Sequence, residues 1–117
     1  MNPEQFAKQI LFNTAIIGLS SQQWVKSENN ESHYCMYRHT DGIKRCAAGW
    51  LIPDRLYQPN MEKSGAYSIQ REFKLFYWSL IDFISEMQRV HDNAQGSMRG
   101  YFKKFGVENG LEIPAWV

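Results

Sequence analysis

Residues 33–52 read HYCMYRHTDGIKRCAAGWLI and carry the clearest β-signal in the chain. Two runs compatible with β-structure flank the pair Asp41-Gly42, which strongly indicates a turn between antiparallel strands. We therefore predict one β-hairpin over about residues 33–52, with the turn glycine in the left-handed region. The register of the two strands stays open. A four-residue loop would place Cys35 opposite Cys46, whereas a two-residue loop would place Tyr37 opposite Cys46.

On either side of this hairpin the signals are helical. From Ile69 to Asn93 no glycine or proline interrupts the chain, and apolar residues recur at helical spacing. An N-terminal helix is predicted from Pro3 to about Ile17 with Asn2 as its N-cap, and a short helix from about Met98 to Phe105. Because a lone hairpin is marginally stable, the helix over about 69–93 should cover it. The prediction is an α+β fold, residues 1–117 forming one mainly helical domain with one β-hairpin.

Length and composition narrow the class of protein. The chain has 117 residues, a formal net charge of +1 and 15% aromatic residues. This balance excludes a polybasic nucleic-acid coat and an acidic DNA mimic, and the ring content excludes disorder. No segment approaches the roughly 20 apolar residues of a membrane span, and the N-terminus is unlike a signal peptide. We expect a cytoplasmic protein without membrane association, in which Cys35 and Cys46 are free thiols.

Four residues with metal-binding side chains fall within the predicted hairpin: His33, Cys35, His39 and Cys46. Zinc binds thiolate and neutral imidazole in a tetrahedral arrangement. However, the spacing lacks the C-x2-C knuckle that places two ligands on one turn. We therefore expect core thiols and surface histidines here, and no cofactor, with a metal site as the alternative.

A thiol-dependent enzyme is a second catalytic alternative. It would combine Cys46, or Cys35, with His91 and Asp92 as a thiol and an imidazole oriented by a carboxylate. Adjacent residues on one helix point about 100° apart, which makes that orientation awkward. No strand–nucleophile–helix elbow is present either. An enzyme that uses Cys46, His91 and Asp92 with a metal or a reactive thiol therefore stays an alternative, and the leading hypothesis is not catalytic.

A distinctive string of residues begins in the hairpin. It comprises CMYR at 35–38, CAAGWLIPD at 46–54, Tyr57, Met61-Glu62 and, further on, QRVHD at 88–92. The string resembles a widespread group of small uncharacterised proteins from phages, prophages and bacteria, over residues 35–62 and 88–92. One departure is that Lys63 follows Glu62, where the resemblance leads us to expect glycine.

The resemblance brings no biochemical activity, but it implies that the matched polar residues lie together where the hairpin meets the end of the long helix. These residues are Arg38, Asp54, Tyr57, Glu62, His91 and Asp92. Buried charged groups must be paired, so we expect a structural network. The alternative is a recognition pocket in which Arg38 and His91 donate and the carboxylates accept.

The chain has more large rings than one helical stripe needs, and tryptophan is the clearest surplus: Trp24, Trp50, Trp78 and Trp116. Trp and Tyr are favoured anchors of protein interfaces. The leading hypothesis is therefore a small binding or regulatory module that acts by protein–protein contact. The resemblance implies an accessory protein of a phage or mobile element, with inhibition of a host defence or regulatory system as a narrower hypothesis. A two-fold homodimer also stays open.

Nucleic-acid binding is the remaining alternative. Arg99, Lys103 and Lys104 are interleaved with Tyr101 and Phe102, and rings among cations can hold a strand by stacking. The patch is small and no nucleic-acid-binding motif accompanies it. We therefore expect a solvated helix face over a core, and no nucleic-acid partner.

Overall fold

A computed structural model describes residues 2–32 and 34–117. Four α-helices form in this part of the chain: α1 (Pro3–Ser21), α2 (Ala66–Phe73), α3 (Ile81–Asn93) and α4 (Met98–Glu108). Short 3₁₀ helices lie at Ala48–Leu51, Asp54–Leu56, Pro59–Met61 and Trp78–Leu80. Among the described residues no strand forms, and the one isolated antiparallel bridge joins Glu28 to Cys35. The predictions of an α+β fold and of a hairpin over 33–52 are therefore wrong, because the protein is mainly helical.

The turn at the centre of the predicted hairpin does form. Gly42 has a φ of 74°, and the N–H of His39 donates to the carbonyl of Lys44 over 2.9 Å. Asp41 Oδ1 accepts the N–H groups of Ile43 and Lys44 over 2.8 and 3.0 Å. These bonds lower the pKa of Asp41 to about 2. The turn is thus a local structure closed by the Asp41 side chain, and it does not lead into a ladder.

The segments beside this turn pair poorly because side chains from elsewhere bind their backbone. Glu62 accepts the N–H groups of Tyr37 and Arg38, through Oε1 over 2.9 Å and Oε2 over 3.1 Å. The buried Gln22 amide holds Arg45 from both sides, accepting its N–H over 2.9 Å and donating to its carbonyl over 2.8 Å. Backbone groups satisfied in this way have no need of a neighbouring strand.

The predicted helix over 69–93 is also wrong in extent, because the chain forms two helices there. Helix α2 ends at Phe73, and its C-cap residue Lys74 has a left-handed φ of 55°. The buried side chain of Gln70 then bonds both backbone groups of Phe76: the N–H donates to Oε1 over 2.7 Å, and Nε2 donates to the carbonyl over 2.6 Å. The interruption between α2 and α3 therefore contains no glycine or proline, and it is stabilised by the two hydrogen bonds of the Gln70 side chain.

Helix α1 confirms its predicted start. Asn2 Oδ1 accepts the N–H of Gln5 over 2.8 Å, and Pro3 occupies the first turn. The helix continues beyond Ile17 to Ser21. No helix in the described part of the chain is both long and apolar enough to cross a bilayer.

Two apolar clusters form the core of the protein, and α3 contributes side chains to both of them. The first joins α1, α3, α4 and the C-terminal tail; its buried members are Phe12, Ala15, Ile16, Leu19, Ala47, Phe83, Met87, Ala94, Met98, Phe102, Phe105, Leu111 and Val117. The second joins the predicted hairpin to α2 and the start of α3; its buried members are Tyr37, Cys46, Ala48, Ile52, Met61, Ala66, Ile69, Leu80, Ile81 and Ile84. The segment predicted as strand therefore packs as irregular core.

Candidate functional site

The six polar residues predicted to lie together form two groups. Four of them, Arg38, Asp54, Tyr57 and Glu62, make up the first group. Tyr57 donates its hydroxyl to Glu62 Oε2 over 2.5 Å, and Arg38 Nη2 lies 2.8 Å from Asp54 Oδ1. The Arg38 guanidinium also lies 4.4 Å from the centre of the Tyr57 ring and donates to the carbonyl of Ile52 over 3.1 Å.

Glu62 is the centre of this first group. It holds two backbone N–H groups of the 37–38 segment as well as the Tyr57 hydroxyl. Burial, followed by the hydrogen bond to Glu62, raises the pKa of Tyr57 to about 12. Because these contacts fix the backbone of one segment against another, the geometry supports a structural role for this group.

His91 and Asp92 belong to the second group, at the end of α3. His91 is fully buried, and its Nε2 accepts the N–H of Ser27 over 3.1 Å. Because Nε2 is the acceptor, Nδ1 carries the ring proton and donates it to Asp92 Oδ1, 2.9 Å away. Gln88 Nε2 donates to the same oxygen over 2.7 Å. The imidazole thus ties α3 to the segment after α1, and both of its nitrogens are engaged.

A cavity of about 460 Å³ opens beside this second group. Its lining includes both thiols, Tyr37, Gln88 and Asp92. Cavities of this size hold small molecules in many proteins. The cavity is lined by Cys35, Cys46 and Asp92, whereas His91, the fourth residue of the predicted thiol chemistry, is not part of its lining.

The state of the two thiols opposes that chemistry. Burial, reinforced by a hydrogen bond to Asp92, raises the pKa of Cys35 far above its usual range. Burial likewise raises the pKa of Cys46, which is completely enclosed. The thiolate is the reactive form, so neither cysteine is prepared as a nucleophile at neutral pH.

We expect both thiols to react slowly with iodoacetamide in the folded protein at neutral pH, at least about tenfold more slowly than in the urea-unfolded chain. The folded-state pKa values are raised, so the rate should climb only as pH rises past the usual thiol range. Asp92→Asn should accelerate modification of Cys35, because it removes the negative charge that helps to raise this pKa. Rapid labelling of either native thiol at neutral pH would contradict the assignment, as mass spectrometry of each cysteine peptide would show.

The metal alternative meets a related obstacle. Ligand atoms of Cys35, His91 and Asp92 lie within 4.8 Å of one another, the one such grouping among residues 2–32 and 34–117. His91 offers no free lone pair, because Nε2 accepts from Ser27 and Nδ1 is protonated. In a metal-bound imidazole one nitrogen binds the metal while the other donates a hydrogen bond. In His91 the nitrogen that lacks a proton already accepts the N–H of Ser27, so neither nitrogen is available to a metal. These three residues, as arranged, do not fit a metal centre.

The other predicted ligands are not part of that grouping. His39 is buried, and its Nδ1 accepts the N–H of Asp41 over 3.0 Å within the turn. Cys46 lies in the second apolar cluster. His33 lies outside the described residues.

The four tryptophans serve different purposes. Trp24 packs on the first cluster, its ring 6.1 Å from that of Phe102. Trp50 packs there too and donates its Nε1–H to Gln22 Oε1 over 3.1 Å. Trp78 and Trp116 are exposed, so they are the two tryptophans whose rings are available to a partner.

Residues 75–78, Leu-Phe-Tyr-Trp, form what we call the aromatic segment, between α2 and α3. Tyr77 is 76% exposed and Trp78 is 58% exposed. Tyr77 and Trp78 are the two residues that follow Phe76, and the N–H and carbonyl of Phe76 are held by the buried Gln70 amide. The segment thus presents two large rings to solvent next to a backbone position that is fixed by hydrogen bonds to Gln70.

Two adjacent basic residues after the Asp41-Gly42 turn, Lys44 and Arg45, are paired with carboxylates. Arg45 Nη2 lies 3.3 Å from Asp54 Oδ1 and its guanidinium stacks on the ring of Trp50 at 4.7 Å. Lys44 pairs with Asp41 over 3.3 Å. On α4, Phe102 is fully buried, so it is not open to stacking on a base.

In comparisons with protein-family models, with curated proteins and with solved structures, nothing matches this chain. The resemblance over residues 35–62 and 88–92 therefore stays a hypothesis.

Three glutamines with central roles were missed by sequence reasoning as site residues: Gln22, Gln70 and Gln88. Each uses its amide to bind backbone groups of another segment, as Gln88 Oε1 does with the N–H of Ala48 over 2.8 Å. A glutamine in a helical pattern resembles any other solvated residue. The one available signal was that Gln88 belongs to the QxxHD string.

Proposed function

We propose that this protein is a cytoplasmic binding module that contacts another protein through the aromatic segment. The observation that carries the proposal is the exposure of Tyr77 and Trp78 on a backbone fixed by Gln70. The protonated thiols and the fully engaged His91 point in the same direction, because they leave the thiol and imidazole groups unprepared for nucleophilic catalysis.

The anchoring by Gln70 matters for affinity. Binding by a flexible loop loses conformational freedom, which weakens association, whereas a preorganised segment loses much less. Tyrosine and tryptophan contribute large contact areas with only two side-chain torsions each, and they are enriched among residues that dominate binding energy. A fixed pair of these rings is therefore suited to enter a pocket on a partner.

The kind of partner is a narrower proposal that rests on the resemblance alone. If the chain is an accessory protein of a phage or mobile element, the partner is a host protein, and a defence or regulatory system is the class to examine first. The contact would then act by occupying or blocking a surface of that host protein.

We expect the double variant Tyr77→Ala/Trp78→Ala to lose the specific partner of the native chain in affinity capture from host lysate. The loss should exceed about tenfold, because two exposed anchor rings are removed. Trp116→Ala is the matched control, since it removes another exposed tryptophan without touching the aromatic segment.

A photoreactive phenylalanine gives a second readout. Placed at Tyr77 it should cross-link to the captured protein, and placed at Tyr101, an exposed tyrosine on α4, it should not. The proposal fails if the double variant retains the native set of partners, or if cross-links form equally from both positions.

A further inference from the structure

Helix α1 has a second apolar face that points away from the core. Residues spaced three or four apart along it fall on one side of the helix. We call this side the outer strip, and it comprises Pro3, Phe6, Ile10, Thr14, Ile17 and Ser21, all exposed. The three large apolar members, Phe6, Ile10 and Ile17, are each more than half exposed. A helix with apolar residues on opposite faces is typical of one packed on both sides.

No member of the outer strip is charged. The two charged residues of α1 are Glu4 and Lys8, which pair over 3.4 Å, and Lys8 Nζ also lies 5.7 Å from the ring of Phe83 on α3. Both charges therefore lie toward α3 and away from the strip. One edge of the strip carries Asn13, which accepts from Gln9 Nε2 over 3.0 Å. The surface thus combines an uncharged apolar centre with a neutral polar edge, as interface cores do.

We infer that the outer strip binds a second copy of this chain in a two-fold dimer. A partner must offer a surface that is equally apolar and free of charge, because any charge placed against the strip would lose its solvation without a partner. The strip itself meets this requirement, and in a two-fold dimer each copy presents the same patch to the other. The net charge of +1 adds almost no repulsion between copies.

The spacing within the strip supports this pairing. Phe6 lies six positions and Ile17 five positions from the midpoint of the strip, and Ile10 and Thr14 each lie two positions from it. An antiparallel pair of α1 helices therefore brings Phe6 of each copy against Ile17 of the other. Such a contact, with its polar edges, removes on the order of 1,000 Å² from water, which is the lower end for a specific interface. A weak, reversible dimer is therefore expected.

The inference is independent of the proposed function, because it rests on α1 and not on the aromatic segment. The test is sedimentation velocity of the full chain from low micromolar to near-millimolar concentration. The native protein should shift from monomer to dimer. Ile10→Glu should weaken the dimer on the order of a hundredfold, since a carboxylate of each copy is then placed near the centre of the contact against an uncharged surface and loses its solvation without a partner.

Val107→Glu is the matched control, because Val107 is an apolar residue on α4 that is 63% exposed. It should dimerise like the native chain. Circular dichroism confirms that both variants are folded, and Ile17→Glu offers a second disruption of the strip. A native chain that stays monomeric throughout, or an Ile10→Glu variant that dimerises normally, overturns the inference. In the first of these cases the strip has another occupant or none.

A cross-linking arm reports on geometry. Thr14→Cys and Ile10→Cys chains, mixed under mild oxidation, should form a disulfide-linked pair readily, whereas Val107→Cys should not. The native thiols interfere little, because Cys46 is enclosed and the pKa of Cys35 is raised. Equal cross-linking at Val107 would count against the strip as the interface.

Discussion

Glu62→Ala is expected to lower the free energy of unfolding by about 3 kcal/mol, because it leaves two backbone N–H groups and a hydroxyl without their acceptor. The carboxylate holds the N–H groups of Tyr37 and Arg38 and the hydroxyl of Tyr57. Tyr37 is buried, so water cannot easily replace the lost bond there. Chemical denaturation monitored by tryptophan fluorescence measures the change.

The control for this variant is Glu72→Ala, which removes a carboxylate from an exposed position on α2. It should change the free energy of unfolding by less than about 0.5 kcal/mol. Glu62→Gln keeps one acceptor oxygen and should fall between the two. A further readout is the pKa of Tyr57, which should move from about 12 toward its ordinary value in Glu62→Ala. Equal stability of the Glu62 and Glu72 variants would show that the carboxylate does not organise the 37–38 segment.

Gly49→Ala is expected to destabilise the protein by about 3 kcal/mol or more, and it could prevent folding altogether. A Cβ atom at Gly49 would lie 2.1 Å from the carbonyl oxygen of Tyr37. Because the atom that it meets is backbone, no side-chain rotation relieves the overlap. The substitution must push the Ala48–Leu51 turn away from the 37–38 segment, and it thereby disturbs the Glu62 contacts as well.

Gly65→Ala is the matched control for this second variant. A Cβ at Gly65 meets nothing within 4 Å, and its φ of −75° suits any residue. Thermal and chemical unfolding should show a change in the free energy of unfolding of less than about 1 kcal/mol. Alanine is a poorer helix N-cap than glycine, but it also lowers the conformational entropy of the unfolded chain, and the two effects oppose each other. If Gly49→Ala proved as stable as Gly65→Ala, the close approach of the two backbone segments would be refuted. The close approach also gives a physical reason for glycine in the CAAG string.

Features set by near neighbours could be predicted from the sequence. The N-cap at Asn2 with Pro3 after it, the Asp41-Gly42 turn and the short helix from Met98 all depend on residues a few positions apart. The polar residues that the resemblance groups together form two groups and not one. Glu62 belongs to the first of these groups, but its role as an acceptor for a backbone segment was not visible in the sequence.

The errors share one cause. The predicted hairpin was judged by its own residues, yet its N–H groups are bonded by a carboxylate 24 and 25 positions away and by a glutamine 23 positions away. The predicted long helix was judged by the absence of glycine and proline, yet Gln70 bonds the backbone of Phe76 and the chain turns at Lys74. In both places a side chain makes the backbone hydrogen bonds that a strand or a helix would otherwise make.

Local chemistry thus established a mainly helical chain, the starts of α1 and α4, one tight turn and a surplus of large rings. Tertiary contacts decided that residues 33–52 form no sheet, that Trp24 and Trp50 support the core and that Trp78 faces solvent. The physical reason is that a backbone N–H or carbonyl needs one partner and does not distinguish a strand from a side-chain amide. Which partner it receives depends on the folded chain bringing Gln22, Glu62, Gln70 and Gln88 to the right positions, and no short window of residues contains that information.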